Sequence, residues 1–141
     1  MSRKPKAIVL DSWAVLAYLE GEASAERVGN AISDAHDDDT PLFMSVLNVG
    51  EVWYIIARET SPPDADQSVT QLRQLGIKFV EADWLLAYEA AKYKSKHRMS
   101  YADCFAAALT KQKNAVLVTG DPEFKQVERE ITVKWLTPRK T

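Results

Sequence analysis

Residues 6–20 read KAIVLDSWAVLAYLE. The run KAIVL (6–10) is short, apolar and halted by Asp11, the pattern of a buried strand. Helical periodicity starts at Ser12 and runs to about Glu20. The rest of the chain repeats this alternation without repeating sequence. A helix is predicted over 22–37, with Ala25, Val28, Ala31 and Ile32 on one face, then a solvated turn at DDDTP (37–41). LFMS (42–45) reads as a strand, and VLNVGEVWYIIARE (46–59) as an apolar helix stopped by TSPP (60–63). A helix over 64–75 ends at Gly76, a C-cap. IKFV (77–80) is a strand, 83–97 a helix, and Ser100 opens a helix to about Lys113. AVLVT (115–119) is a strand, Gly120-Asp121-Pro122 turns into a short helix, and TVKWL (132–136) is the last strand. Strands separated by helices imply parallel pairing and an α/β sandwich. Crossovers in such sheets are right-handed. Ligand sites lie beyond the carboxyl ends of the strands, where Asp11 and Asp121 stand.

The chain has 141 residues, which predicts a single domain over 1–141. With 46% hydrophobic and 27% charged residues it has an ordinary globular composition. Cys104 is the lone cysteine, so no intrachain disulfide forms, and a reducing, cytoplasmic compartment fits. No apolar run approaches the roughly 18 residues of a membrane span. MSRKPKAIVLD reaches Asp11 too soon for a signal-peptide core. Two histidines and one cysteine are too few for a Cys/His zinc site. The five glycines form no G-x-G-x-x-G, no P-loop and no G-x-S-x-G elbow. Carboxylates remain as the chemical groups.

Four carboxylates stand out, and three have an adequate structural reading. Asp11 is placed to cap the first helix. Asp121, followed by Pro122, is placed to start another. Ser100-x-x-Asp103 reads as a capping box, in which the acid reaches back to the cap's N–H. Glu51 differs, because it is the only charge in SVLNVGEVWYIIA. Asn48 lies one turn before it, and Arg58 about two turns after. A carboxylate in so apolar a helix needs a cation from elsewhere in the fold or from solution. Four carboxylates converging on one pocket cannot all ionise unassisted. Either some protonate or a hard divalent ion, Mg²⁺ or Mn²⁺, binds. Such an ion activates water and holds the leaving oxygen of a phosphodiester, which points to a nuclease.

These residues also carry a family resemblance. IVLDSWAVLAYLEGE resembles the opening strand, acid and helix of PIN-domain ribonucleases. SVLNVGEVW resembles their second motif, Ser/Thr-x-x-Asn-x-x-Glu. MSYADCFAAALTKQKNAVLVTGDPEF resembles their third and fourth motifs, and TVKWL their final strand. Among these proteins the chain is most similar to VapC toxins of toxin–antitoxin pairs. The resemblance implies a PIN-like three-layer α/β/α sandwich with a central, mostly parallel sheet. It implies Mg²⁺- or Mn²⁺-dependent cleavage of single-stranded RNA, a homodimer and a VapB-like antitoxin. By matching position, Asp11, Glu51, Asp103 and Asp121 are the acidic quartet, with Asp11 and Asp103 as metal ligands and Asp121 and Glu51 acting directly or through water. Ser12, Asn48 and Thr119 match polar positions that support them. Trp13 and Cys104 are unusual choices beside the acids, and Cys104 reads as an inert packing residue.

The formal charge is −2, with 18 basic and 20 acidic residues. Taking the quartet from the 20 acids leaves 16 against 18 basic residues. A polyanion then becomes an acceptable ligand. Lys92, Lys94, Lys96, His97 and Arg98 cluster before MSYAD and are candidate RNA phosphate contacts; the plain alternative is a solvated helix end. Lys111, Lys113, Arg139 and Lys140 are weaker candidates. His36 with Asp37, Asp38 and Asp39 reads as a solvated run, not a metal site. The four tryptophans read as core, with base stacking the functional alternative. A haloacid-dehalogenase-like phosphatase needs an Asp where Trp13 stands, and a response-regulator receiver needs an acidic pair that Ser12 does not supply. A binding module without catalysis, whose acids hold a partner's basic side chains, is the remaining alternative.

Overall fold

The computed structural model of the chain describes residues 4–136. Among them, strands β1 (Ile8–Leu10), β2 (Leu42–Ser45), β3 (Ile77–Val80), β4 (Val116–Thr119) and β5 (Thr132–Trp135) form one sheet. Their order is β3-β2-β1-β4-β5, and every neighbouring pair is parallel. The helices are α1 (Ser12–Leu19), α2 (Ala25–Asp37), α3 (Val46–Glu59), α4 (Pro62–Gln74), α5 (Trp84–Lys96) and α6 (Tyr101–Gln112). A 3₁₀ turn covers Pro122–Val127.

Successive strand residues feed opposite cores. Val9 and Leu117 pack with α5, α6 and the 3₁₀ turn, while Ile8, Leu10 and Val118 pack with α1 to α4. Burial on both faces is why these strands are unbroken apolar runs. The result is a three-layer α/β/α sandwich. In α6 every residue from Asp103 to Thr110 is buried, which explains its alanines: only small side chains let a helix be covered on several sides. Burial pushes the Cys104 thiol up to about 11, so it stays protonated and inert.

Topology places the site. From β1 the chain runs outward through β2 to β3, then returns to β4 on the other flank of β1. Neighbouring crossovers diverge there, and the region beyond the carboxyl ends of β1 and β4 is where such sheets bind ligands. β1 hands over to Asp11, and β4 to Gly120 and Asp121.

Two helix starts differ from the sequence expectation. α2 begins at Ala25 rather than 22. Gly21, at φ +65°, turns the end of α1, and the Glu22 amide donates back to the Ala17 carbonyl at 3.0 Å. That closing bond takes residue 22 out of the next helix. α4 begins at Pro62 rather than 64, with Ser61 Oγ accepting from the Asp64 amide at 3.2 Å. The first helical positions have no intrahelical acceptor for an N–H, so the prolines that stop α3 also start α4.

Gly76 ends α4 with φ +84°, and His36 Nε2 lies 2.7 Å from the Leu75 carbonyl. His36 thus holds a helix end. A Cβ on Gly76 would stand 3.1 Å from that Nε2. Gly76→Ala is expected to lower stability by about 1–3 kcal/mol. The expected reading is a lower urea midpoint with an unchanged slope; an unchanged midpoint would contradict it.

Candidate active site

Asp11 has no exposed surface. Its Oδ1 accepts from the Ala14 amide at 2.9 Å, capping α1. Its Oδ2 accepts from the Thr119 hydroxyl at 2.5 Å. That hydroxyl accepts from the Asp121 amide at 3.0 Å. One short relay therefore ties the end of β1 to the loop after β4. Capping and site-building are not alternatives here, because each Asp11 oxygen serves one of them. Asp121 Oδ1 likewise caps the 3₁₀ turn, accepting from the Glu123 amide at 2.9 Å.

Asp103 shows how a cap is adapted. Ser100 Oγ accepts from the Asp103 amide at 3.1 Å, which is half of the expected capping box. The return half goes elsewhere: the Ser100 amide donates to Glu123 Oε1 at 3.1 Å. Glu123 thereby releases the Asp103 carboxylate from helix capping. Carboxylate oxygens of Asp103, Asp121 and Glu123 lie within 4.8 Å of one another. Glu123 was not foreseen from the sequence. An acid just after Pro122 looks like an ordinary helix-start residue, and only the packing of the α5–α6 loop reveals its second use.

The electrostatics follow from this crowding. Burial, then the charges of Asp121 and Asp11, push Asp103 up to about 8. Burial pushes Asp11 up to about 7, against the opposing pull of the Thr119 and Ala14 hydrogen bonds, and Asp121 adds to the rise. A pocket that raises its carboxyls this far is short of positive charge. The donors are all hard oxygens, the set preferred by Mg²⁺ and Mn²⁺, so the residues present fit such an ion.

The supporting polar residues meet behind the acids. Asn48 is wholly buried. Its Nδ2 donates to Ser12 Oγ at 3.1 Å and to the Ala102 carbonyl at 3.3 Å. Ser12 Oγ donates to the Asn48 carbonyl at 3.3 Å. Asn48 thus pins α3 to α1 and to the residue preceding Asp103. Asn48 Oδ1 is buried without a partner among the described residues. Glu51 is half-buried on the next turn of α3 and makes no hydrogen bond or ion pair among the described residues. It is not one of the three clustered carboxylates.

The basic segment divides. Lys92 pairs with Glu89 at 3.2 Å and lies 5.0 Å over the Tyr88 ring. Lys94 Nζ donates to the Met99 carbonyl at 2.6 Å, bracing the α5–α6 loop. His97 meets Glu130 at 3.3 Å. Arg98 is fixed by its backbone, which exchanges two 3.0 Å bonds with Gln126. Its side chain and that of Lys96 are exposed and make no ion pair among the described residues. Lys113 lies 4.7 Å over Phe43. Arg139 and Lys140 lie outside the described residues. No helix among the described residues is long and apolar enough to cross a membrane.

A family model of the PIN domain matches residues 8–130. A sequence comparison with curated proteins gives no match. Several solved structures share the fold. The chain superposes on VapC20 of Mycobacterium tuberculosis, described as a sarcin–ricin-loop-cleaving toxin, with a TM-score of 0.68. Identity is 16%, over 86% of this chain and 95% of that one. VapBC2 from Rickettsia felis, bound to a fragment of promoter DNA, gives a TM-score of 0.71 at 15% identity, covering 91% of this chain and 97% of the other. FitAcB from Neisseria gonorrhoeae gives 0.66 at 21% identity, covering 92% and 97%.

The raised carboxyls make stability depend on pH. Asp11 and Asp103 keep their protons in the folded chain to about 7 and 8, against 3.8 ordinarily. Between these limits the folded state binds more protons than the unfolded state. Stability in EDTA is therefore highest at the acid end of that window and falls as pH rises through 7 to 8. Asp103→Asn is expected to flatten the fall and to stabilise the protein at pH 8 by more than about 1.4 kcal/mol, the worth of one pKa unit. Urea unfolding at each pH checks this; a flat wild-type profile would contradict it.

Proposed function

The chain belongs to the PIN-domain family, and from that premise we propose that it is a Mg²⁺- or Mn²⁺-dependent endoribonuclease. It hydrolyses phosphodiester bonds in single-stranded regions of RNA. The observation that carries this reading is the trio Asp103, Asp121 and Glu123, with oxygens within 4.8 Å, at the sheet's topological switch point. Capping bonds occupy an oxygen each of Asp121 and Glu123 and offer nothing to offset the repulsion among the three carboxylates, which a cation would.

In this reading Asp103, Asp121 and Glu123 hold the ion, with Asp11 and Glu51 ligating directly or through water. When bound, the ion supplies the positive charge that polarises the phosphodiester and lowers the pKa of water. The chain's own residues do the rest. Thr119 and the Ala14 amide each hold one oxygen of Asp11, so its carboxylate is fixed in one orientation. Asn48 and Ser12 fix α3, which carries Glu51, against α1 and α6. Glu51 has no protein partner among the described residues, and its carboxylate accepts the attacking water's proton. One P–O bond forms to that water, and the bond to the leaving oxygen breaks as that oxygen takes up a proton from solvent, while Glu51 later returns its own to solvent. Lys96, at the end of α5, and Arg98 just beyond it, without ion pairs among the described residues, meet the RNA phosphates, with Lys92 and Lys94 behind them.

The same reading makes the protein the toxin of a type II toxin–antitoxin pair acting in the cytoplasm. A homodimer neutralised by a VapB-like antitoxin is the form it takes. Complexes named VapBC2 and FitAcB among its structural neighbours support the partner. A sarcin–ricin-loop-cleaving neighbour supports an RNA substrate.

The test is cleavage of total prokaryotic RNA by the antitoxin-free protein, with Mg²⁺, with Mn²⁺ and with EDTA. Discrete products are expected with metal and none with EDTA. Asp103→Asn and Asp121→Asn are expected to lower the rate by at least about a hundredfold while the fold is kept. Folded protein that binds Mn²⁺ yet cuts no RNA would overturn the reading and favour a binding module instead.

A further inference from the structure

The acids account for the phosphate but leave the nucleobases without a partner. We propose that the Trp13 indole is a stacking platform for the base next to the cleaved phosphate. This rests on the endoribonuclease reading and adds the subsite that reading lacks.

Trp13 stands two residues after Asp11, in the first turn of α1. Its six-membered ring lies against Gly120, between Thr119 and Asp121. A Cβ at position 120 would stand 2.2 Å from Cη2, 2.4 Å from Cζ3 and 2.6 Å from Cζ2. Only glycine leaves room there, so the chain gives up a side chain beside Asp121 in order to seat an indole. That places the ring beside the loop that carries Asp121. It is half-buried, with the inner part packed on the α1 to α4 core. Its N–H is neither buried without a partner nor bonded to any described residue.

The other tryptophans are engaged differently. Trp53 donates to Asp66 at 2.9 Å, and Trp135 to Glu128 at 3.2 Å. Trp84, 76% exposed, leans on Tyr88 at the start of α5. Trp13 alone joins an anchored edge, an accessible remainder and contact with the loop that carries Asp121. Aromatic faces beside a phosphate path hold single-stranded bases with little sequence preference, because every base has a π-face.

The test separates this proposal from the reading beneath it. The probe is a short RNA spanning a bond that the wild-type protein cuts, with 2-aminopurine on either side of that bond in turn. Binding is measured in the Asp103→Asn protein, so the probe stays whole. Trp13→Phe keeps an aromatic face. Trp13→Leu and Trp13→Met keep apolar volume without one, and either serves if the other fails to fold. Quenching of 2-aminopurine at one of the two positions is expected with Trp13 and with Phe. With Leu or Met the quench is lost and affinity falls about tenfold or more. In the active protein those two variants raise KM more than they lower kcat, and the thermal shift on adding Mn²⁺ is unchanged. Leu and Met variants that quench and bind like the parent would overturn the platform while leaving the nuclease reading intact. A wild-type protein that neither cuts nor binds RNA would remove both.

Discussion

A carboxylate with no water around it sets the terms for this structure. Asp11 is completely buried at the end of β1, where an isolated charge is prohibitively unstable. The fold answers with the Thr119 hydroxyl and the Ala14 amide, one on each oxygen. These bonds lower the acid's pKa without cancelling the effect of burial, and the balance stands at about 7. The remaining deficit is one that a divalent cation removes.

Much of the surrounding architecture holds further acids close to this one. The Ser100 amide could have satisfied Asp103 in an ordinary capping box. Glu123 takes that amide instead, and Asp103 turns its charge toward Asp121. Gln126 ties the backbone of Arg98 to the 3₁₀ turn, and Lys94 holds the Met99 carbonyl. The α5–α6 loop is thus strapped beside the acids from two directions. On the far side Asn48 spans α1, α3 and α6. Each strap keeps like charges at a separation that their repulsion would otherwise widen, and that is the preorganisation metal-assisted hydrolysis requires.

The sequence exposed the fold because its central strands β1, β2 and β4 are largely buried on both faces. Such strands cannot alternate, so IVL, LFMS and VLVT stand out as unbroken runs ended by polar residues. Asp11 and Asp121 were visible for the same reason, since each is the first polar group after a run. Glu51 was visible as a charge in an apolar helix. Glu123 was hidden because its role depends on a loop more than twenty residues away in sequence. The packing of Trp13 on Gly120 was hidden likewise: a glycine after a strand reads as a turn, and its need for empty space appears only when α1 is laid against β4. The basic cluster was legible as a cluster, but not in its division between intramolecular braces and free side chains. Helical spacing gives the Glu89–Lys92 pair, but no local pattern gives the positions of Glu130 and the Met99 carbonyl.

On the proposed reading, the acids at the carboxyl ends of β1 and β4 hold a divalent cation. Anomalous scattering from crystals grown with Mn²⁺ tests it most directly. A strong manganese peak bonded to Asp103, Asp121 and Glu123 is the predicted result. Ordered crystals with saturating Mn²⁺ and no peak among these carboxylates would contradict the account.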